Sequence, residues 1–425
     1  MKIERIVARE IYNSQGWPTV QCEIFLENGA SVQASVPSGT SVGAHEAVEF
    51  RDGGSRLSGR GVLKAVENIE QKIAPLLTGQ APRALEMDLR MLELDGTADK
   101  SKLGANALLA VSMAMYRAEA LCEGITLYEF FAELLDLDSV SMPFPFLNII
   151  NGGAHADNGL HIQEFMVVPI AAQSFRASFE VGVQVFHALG ELLKKEGRST
   201  AVGIEGGYSA GFRNEKEALD MLLQAMQSVG STEELGCVIA LDIASSHFYS
   251  EDTGLYQWGD EQYSSDQMIA YYEGLISQYP IYSIEDGLSQ DDWEGWKTLT
   301  KALGDKVQIV GDDLCVTDIY RVLRAAEEKT ATSVIIKPNQ VGTITEVLQV
   351  ISLCKSKGLQ TIISHRSLET EDSFIADLAI GTSSGQIKAG SCSGSERLAK
   401  YNRILAIEDE LTFALLNDYE DSSSF

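Results

Sequence analysis

The 425-residue chain carries 33 Lys and Arg against 61 Asp and Glu, a formal charge of −28. With so acidic a balance and no basic block, a nucleic-acid backbone or an anionic membrane surface is excluded as an electrostatic partner. At 45% hydrophobic and 22% charged, the chain is globular rather than disordered, and no run approaches the roughly 18 uninterrupted apolar residues of a membrane span.

Residues 2–12 and 18–26 read as strands, and residues 30–36 continue the pattern. A Gly/Ser-rich loop, Pro37 to Gly43, follows, and then helical patterns, of which Ala105 to Leu121 is the clearest. Strands followed by helices predict an α+β unit. The pattern breaks at SVSMPFP, which divides the chain into a smaller N-terminal domain, 1–138, and a C-terminal domain, 139–425. MKIERIVAREIY has no signal-peptide apolar core. The six cysteines are widely spaced and never CxxC, which reads as reduced thiols in a cytoplasmic protein.

In the second domain short apolar runs end in ionisable residues. CVIAL runs into Asp242, IYSI into Glu285, VQIVG into Asp312, SVII into Lys337, QTIIS into His365 and Arg366, and GQI into Lys388. The steps between them are 43, 27, 25, 28 and 23 residues. Helical patterns lie between most runs. Ser264 with Gln267 and Thr343 with Glu346 are capping-box pairs, and Gly358 is placed to end the second helix. A buried strand, a loop and a helix, repeated about every 25 residues, predict parallel βα units closing into a TIM-like β/α barrel.

Side chains at the C-terminal ends of barrel strands converge on one mouth. One carboxylate after a strand is more often a helix cap, but Asp242, Glu285 and Asp312 stand on three successive units. Three oxygen ligands with room for water suit a hard cation, Mg²⁺ before Mn²⁺. Lys337 lies inside the apolar run SVIIKPN. Near a cation and a second ammonium, Lys388, its pKa should fall toward the range of a base. Arg366 with Ser367 offers a fork and a hydroxyl to a phosphate. Glu164, in HIQEFMVVP, and Glu205, in VGIEGGY, are paired acids of the kind that protonate a leaving hydroxyl. The set predicts proton removal from carbon beside a carboxylate, a metal-stabilised ene-diolate and loss of a β-hydroxyl.

From here the sequence resembles the enolase family along almost its whole length. The motifs occur in family order: PSGTSVGAHEA, LDGTADKSKLGANA, NIINGGAHADN, QEFM, LDIASSHFY, SIEDGL, QIVGDDL, IIKPNQVGT, ISHRSLETED and SERLAKYN. Enolase-superfamily sites are known for pairing a base with Mg²⁺. The resemblance implies an N-terminal α+β domain and a barrel with irregular first units. It implies dehydration of 2-phospho-D-glycerate to phosphoenolpyruvate in glycolysis and the reverse reaction, with two Mg²⁺, the second arriving with substrate, in a homodimer or higher homo-oligomer. By the same resemblance Asp242, Glu285 and Asp312 hold the first Mg²⁺ and Ser41 contacts the second. Lys337 takes the C2 proton, and Glu205 with Glu164 serves the hydroxyl. Lys388 pairs with the substrate carboxylate, Arg366 and Ser367 bind phosphate, and His155 and His365 lie close to substrate.

The sequence also departs from the family pattern. NSQGWPTV stands for DSRGNPTV, VGIEGG for VGDEGG, HRSLETED for HRSGETED and SSHFY for ASEFY, with His247 for Glu, and Gly394 takes an arginine position. Ile204 removes a polar neighbour of Glu205, predicting a misoriented acid or a pKa raised by desolvation. Leu368 predicts strain in a turn that Gly would accept, and Gln15 and Gly394 lose guanidinium forks. Two other readings share these motifs: a lyase acting on a related phosphorylated hydroxy acid, and a catalytically impaired member kept for binding. Retention of Arg366, Ser367 and Lys388 weighs against the first.

Overall fold

The computed structural model describes residues 1–40, 43–230 and 236–422, the last eight of these in backbone only. Strands β1 (Ile3–Tyr12), β2 (Pro18–Leu26) and β3 (Ser31–Ser35) form an antiparallel meander. Asn13 Oδ1 accepts from the backbone N–H groups of Gln15 (3.0 Å) and Trp17 (3.1 Å) and so closes the first turn. Asn in place of the family's Asp therefore keeps the local turn bond. Helix Ala105–Glu123 packs its Ala, Leu and Met side chains on β2 and β3. It runs two residues past the predicted end and stops at left-handed Gly124.

The second sheet is a closed barrel. Its first three strands are β4 (Phe144–Asn151), β5 (Glu164–Pro169) and β6 (Cys237–Asp242), and five more follow. Between them a small antiparallel sheet, β7 (Tyr249–Ser250), β8 (Leu255–Trp258) and β9 (Glu261–Tyr263), decorates the loop after β6. The remaining barrel strands are β10 (Ile281–Glu285), β11 (Gln308–Gly311), β12 (Ser333–Ile336), β13 (Gln360–Ser364) and β14 (Gln386–Lys388). All neighbours run parallel except β5, which is antiparallel to both β4 and β6. The first residue of β5, Glu164, therefore faces the mouth, in register with Asp242. Helices Phe175–Lys195 and Glu215–Ser228 separate β5 from β6, and the loop between them carries Glu205.

Phe146, Met166, Val168, Ala240, Val310, Ile335 and Ile362 form their own buried cluster inside the barrel, a packed plug beneath the mouth. Ser264 and Gln267 form the expected capping box. Thr343 accepts from the Glu346 N–H (3.3 Å), but the return bond to the Thr343 backbone is not made. Instead the Glu346 carboxylate takes the Thr343 hydroxyl (2.7 Å) and the Lys100 ammonium (2.7 Å). That ion pair joins the two parts of the chain. Arg117 adds a bidentate pair to Asp372 (2.7 and 2.8 Å). Buried Asp88 Oδ2 accepts from Ser112 Oγ (2.8 Å) and from Thr345 N (3.0 Å) and Oγ1 (2.8 Å). Among the described residues no helix is long and apolar enough to cross a membrane, and all six cysteines are free.

Candidate active site

Ten of the twelve expected site residues line one cavity at the mouth of the barrel: His155, Glu164, Glu205, Asp242, Asp312, Lys337, His365, Arg366, Ser367 and Lys388. Glu285 is buried and reaches the cavity only through Lys388. Ser41 lies outside the described residues. The convergence follows from topology: Asp242, Glu285 and Lys388 end strands, Asp312, Lys337 and His365 follow strand ends directly, and Glu164 begins the reversed strand.

Lys388 sits among the carboxylates. Its Nζ is 2.9 Å from Asp242 Oδ2, 2.9 Å from Glu285 Oε2 and 3.2 Å from Glu164 Oε1. Burial opposes its charge, but Asp242, Glu164 and Glu285 hold its pKa well above the usual range. The expected partner was a substrate carboxylate. Here the ammonium is engaged by the protein's own acids, because buried carboxylates need a counter-charge. Glu285 is pushed up to about 8, by burial and by Asp242.

Lys337 differs from expectation in the same way. Its ammonium pairs with Asp312 Oδ2. Burial works to lower its pKa, yet Asp312 outweighs burial and lifts it to about 12. Asp312 is correspondingly lowered against its own burial, and Gln340 Nε2 donates to its other oxygen (3.1 Å).

Two groups of three ligand atoms lie within 4.8 Å of one another among the described residues: His155–Glu164–Glu205 and Asp286–Asp312–Asp313. The expected trio Asp242, Glu285 and Asp312 is not one of them. Asp242 and Glu285 are drawn around Lys388, and Asp312 is drawn to Lys337. The donor set nevertheless fits a hard divalent cation, since every ligand is a buried carboxylate oxygen on neighbouring units. Asp286 was overlooked as a site residue. Its carboxylate accepts from the Asp312 (2.9 Å) and Asp313 (3.0 Å) N–H groups and so orients Asp312. Asp313 is pushed up to about 7, by burial and by Asp312. The doubled acids ED and DD at strand ends were the available signal.

The paired acids adjoin this group, Glu164 through Lys388. Glu205 Oε2 accepts from Asn148 Nδ2 (3.1 Å) and lies 3.5 Å from His155 Nδ1, while Oε1 lies 3.7 Å from His365 Nε2. Burial, then Glu205, raises Glu164 well above the carboxylate range. Burial presses on Glu205 too, but His155, His365 and Arg397 outweigh it and hold Glu205 well below that range. The rise expected from Ile204 is therefore not found. His155 Nδ1 and Glu164 Oε2 have no hydrogen-bond partner, as befits atoms facing a space meant for a ligand.

Arg366 is also engaged. Its fork takes both oxygens of Glu46 (2.8 and 3.2 Å) and Asn339 Oδ1 (3.0 Å). Ser367 Oγ accepts from Thr40 N (2.8 Å) and shares a hydrogen with Thr40 Oγ1 (2.7 Å). Glu46 and Thr40 were missed, because nothing in PSGTSVGAHEA says which residues face the barrel. Leu368 has no left-handed φ, so the predicted strain is absent; it exchanges two backbone hydrogen bonds of 3.0 Å with Ser38. Gly394 has a φ of +90°, a conformation that suits Gly better than the family's Arg.

A model of the enolase N-terminal domain matches residues 3–131, and one of the enolase C-terminal TIM barrel domain matches residues 139–421. The two matches follow the same order as the meander and the barrel and leave little of the sequence uncovered, so the chain belongs to the enolase family.

Proposed function

We propose that this protein catalyses the reversible, Mg²⁺-dependent dehydration of 2-phospho-D-glycerate to phosphoenolpyruvate and water. One observation carries the reading: a lysine paired with a single acid, Lys337, and an acid pair, Glu164 and Glu205, line the same buried cavity, which Arg366, Ser367 and Lys388 also line. Asp242, Glu285 and Asp312 would hold the cation, which would supply positive charge to offset the negative charge developing on the substrate.

Lys337 Nζ takes the C2 proton. Burial lowers its pKa and Asp312 raises it, so Lys337 would serve as a base where Asp312 is engaged by a cation. The C2 electron pair becomes the C2–C3 double bond as the C3–O bond breaks. The proton held on the Glu164–Glu205 pair leaves with the hydroxyl as water. Arg366 exchanges the Glu46 carboxylate for the substrate phosphate, a like-for-like swap of one bidentate anion for another. His155 and His365, both kept below their usual pKa by burial, stay neutral beside the acids.

The test is formation of phosphoenolpyruvate from 2-phospho-D-glycerate, followed by its absorbance, with Mg²⁺ and with chelator. Turnover is expected with Mg²⁺ alone, and Lys337→Ala should lose at least about 10³-fold in kcat while still binding Mg²⁺ in calorimetry. A wild-type protein that binds Mg²⁺ yet gives no phosphoenolpyruvate would sink the assignment.

A further inference from the structure

Arg397 lies in the first turn of helix Ser395–Ser422 and is fully buried. Arginine is rarely buried completely without a paired acid. Among the described residues the one carboxylate within ion-pair distance is that of Glu396, whose Oε1 is 3.5 Å from Nε. The two ends of the fork are spent on the cavity walls. Nη1 is 2.7 Å from His365 Nδ1 and 2.7 Å from the Arg366 carbonyl. Nη2 donates to the carbonyls of Ile204 (3.1 Å) and Ser367.

Two consequences follow from donor chemistry. A guanidinium has donors and no acceptor, so His365 Nδ1 must accept, and the single ring proton of the neutral imidazole sits on Nε2. That is the nitrogen facing Glu205 Oε1, at 3.7 Å. The same fork also spans the turn that carries Glu205 and the loop that carries Arg366 and Ser367. Ile204 has an apolar side chain, so its carbonyl is the only handle it offers the guanidinium.

We propose that Arg397 is a positioning residue for the departing-hydroxyl side of the site: it fixes His365 as the Nε2–H tautomer pointing at Glu205 and ties the Glu205 turn to the phosphate-binding loop. The proposal rests on the reaction assigned above, but its test does not depend on turnover.

The full-length protein labelled with ¹⁵N-histidine is measured by NMR, with the His365 signals identified by their loss in His365→Gln. The wild type should show His365 protonated at Nε2 with a bare Nδ1. Arg397→Met should release it to a mixture of tautomers. With 2-phospho-D-glycerate as substrate, kcat should fall about 10- to 100-fold in Arg397→Met while KM moves less than about threefold, with Arg397→Lys in between. A merely structural arginine would lower stability without moving the tautomer or splitting kcat from KM. A wild type protonated at Nδ1 overturns the proposal, even if Arg397→Met fails to fold. So does a folded Arg397→Met with an unchanged tautomer and unchanged kcat. A wild type without turnover would sink the reaction assignment, leaving the tautomer to decide about Arg397.

Discussion

Asp88 shows what burial does to a single residue. Burial pushes its carboxyl up to about 7, against the pull of hydrogen bonds from Thr345 and Ser112, and the nearby Glu346 adds to the rise. An acid whose folded pKa exceeds its unfolded value of roughly 3.9 takes up a proton on folding. Its contribution to stability is therefore full below about pH 4 and is lost as the pH rises through about 7. Asn carries no charge at either end of that window, although it leaves a buried amide donor where Asp88 Oδ1 has no partner. Asp88→Asn should narrow the loss of unfolding free energy between about pH 5.5 and about pH 8.5 by about 1–3 kcal/mol, read from urea melts. A loss as large as that of the wild type would show that Asp88 titrates like an exposed acid.

At the scale of the element, the turn that carries Glu205 is held by short hydrogen bonds and close glycine contacts. Gly207 N donates to Asn151 Oδ1 (3.0 Å), and Gly203 N to the Gly207 carbonyl (2.7 Å). Gly206 has a φ of +88°, and a Cβ there would stand 2.8 Å from both the carbonyl and the hydroxyl of Ser393. Gly206→Ala should therefore shift the turn, lowering kcat at least about 10-fold with little change in KM; an unchanged kcat would mean that the turn can absorb the methyl. Much of the barrel was legible beforehand, because strands buried on both faces read as apolar runs and their ends fall at regular steps. Asp242, Glu285, Lys337 and Lys388 stood out for that reason. The direction of β5 did not, since an apolar run such as EFMVVP reads the same both ways. Arg397 was hidden for a different reason: it belongs to a helix, outside the strand-end pattern, and its role depends on carbonyls that any residue could supply.

At the scale of the whole molecule, the meander domain and the barrel are joined by partly buried charge pairs. Breaking a partly buried pair leaves the survivor undercompensated, so Arg117→Met should cost about 1–3 kcal/mol in denaturant unfolding. It should also split one calorimetric transition into two, because Asp372 then stands without its fork; a single, unshifted transition would show that packing alone joins the two parts. The net charge of −28 gives no guide to the ligand, since Lys337, Lys388 and Arg366 all line the one cavity. The reversed strand has a consequence of its own. Glu164, Asp242, Glu285 and Asp312 are set by sheet register, but Glu205 is reached by way of helix Phe175–Lys195, whose 21 residues act as a ruler about 31 Å long. Each residue added to that ruler would advance its far end by about 1.5 Å and rotate it by about 100°, so single-residue insertions there are barred although no side chain of the helix need touch substrate.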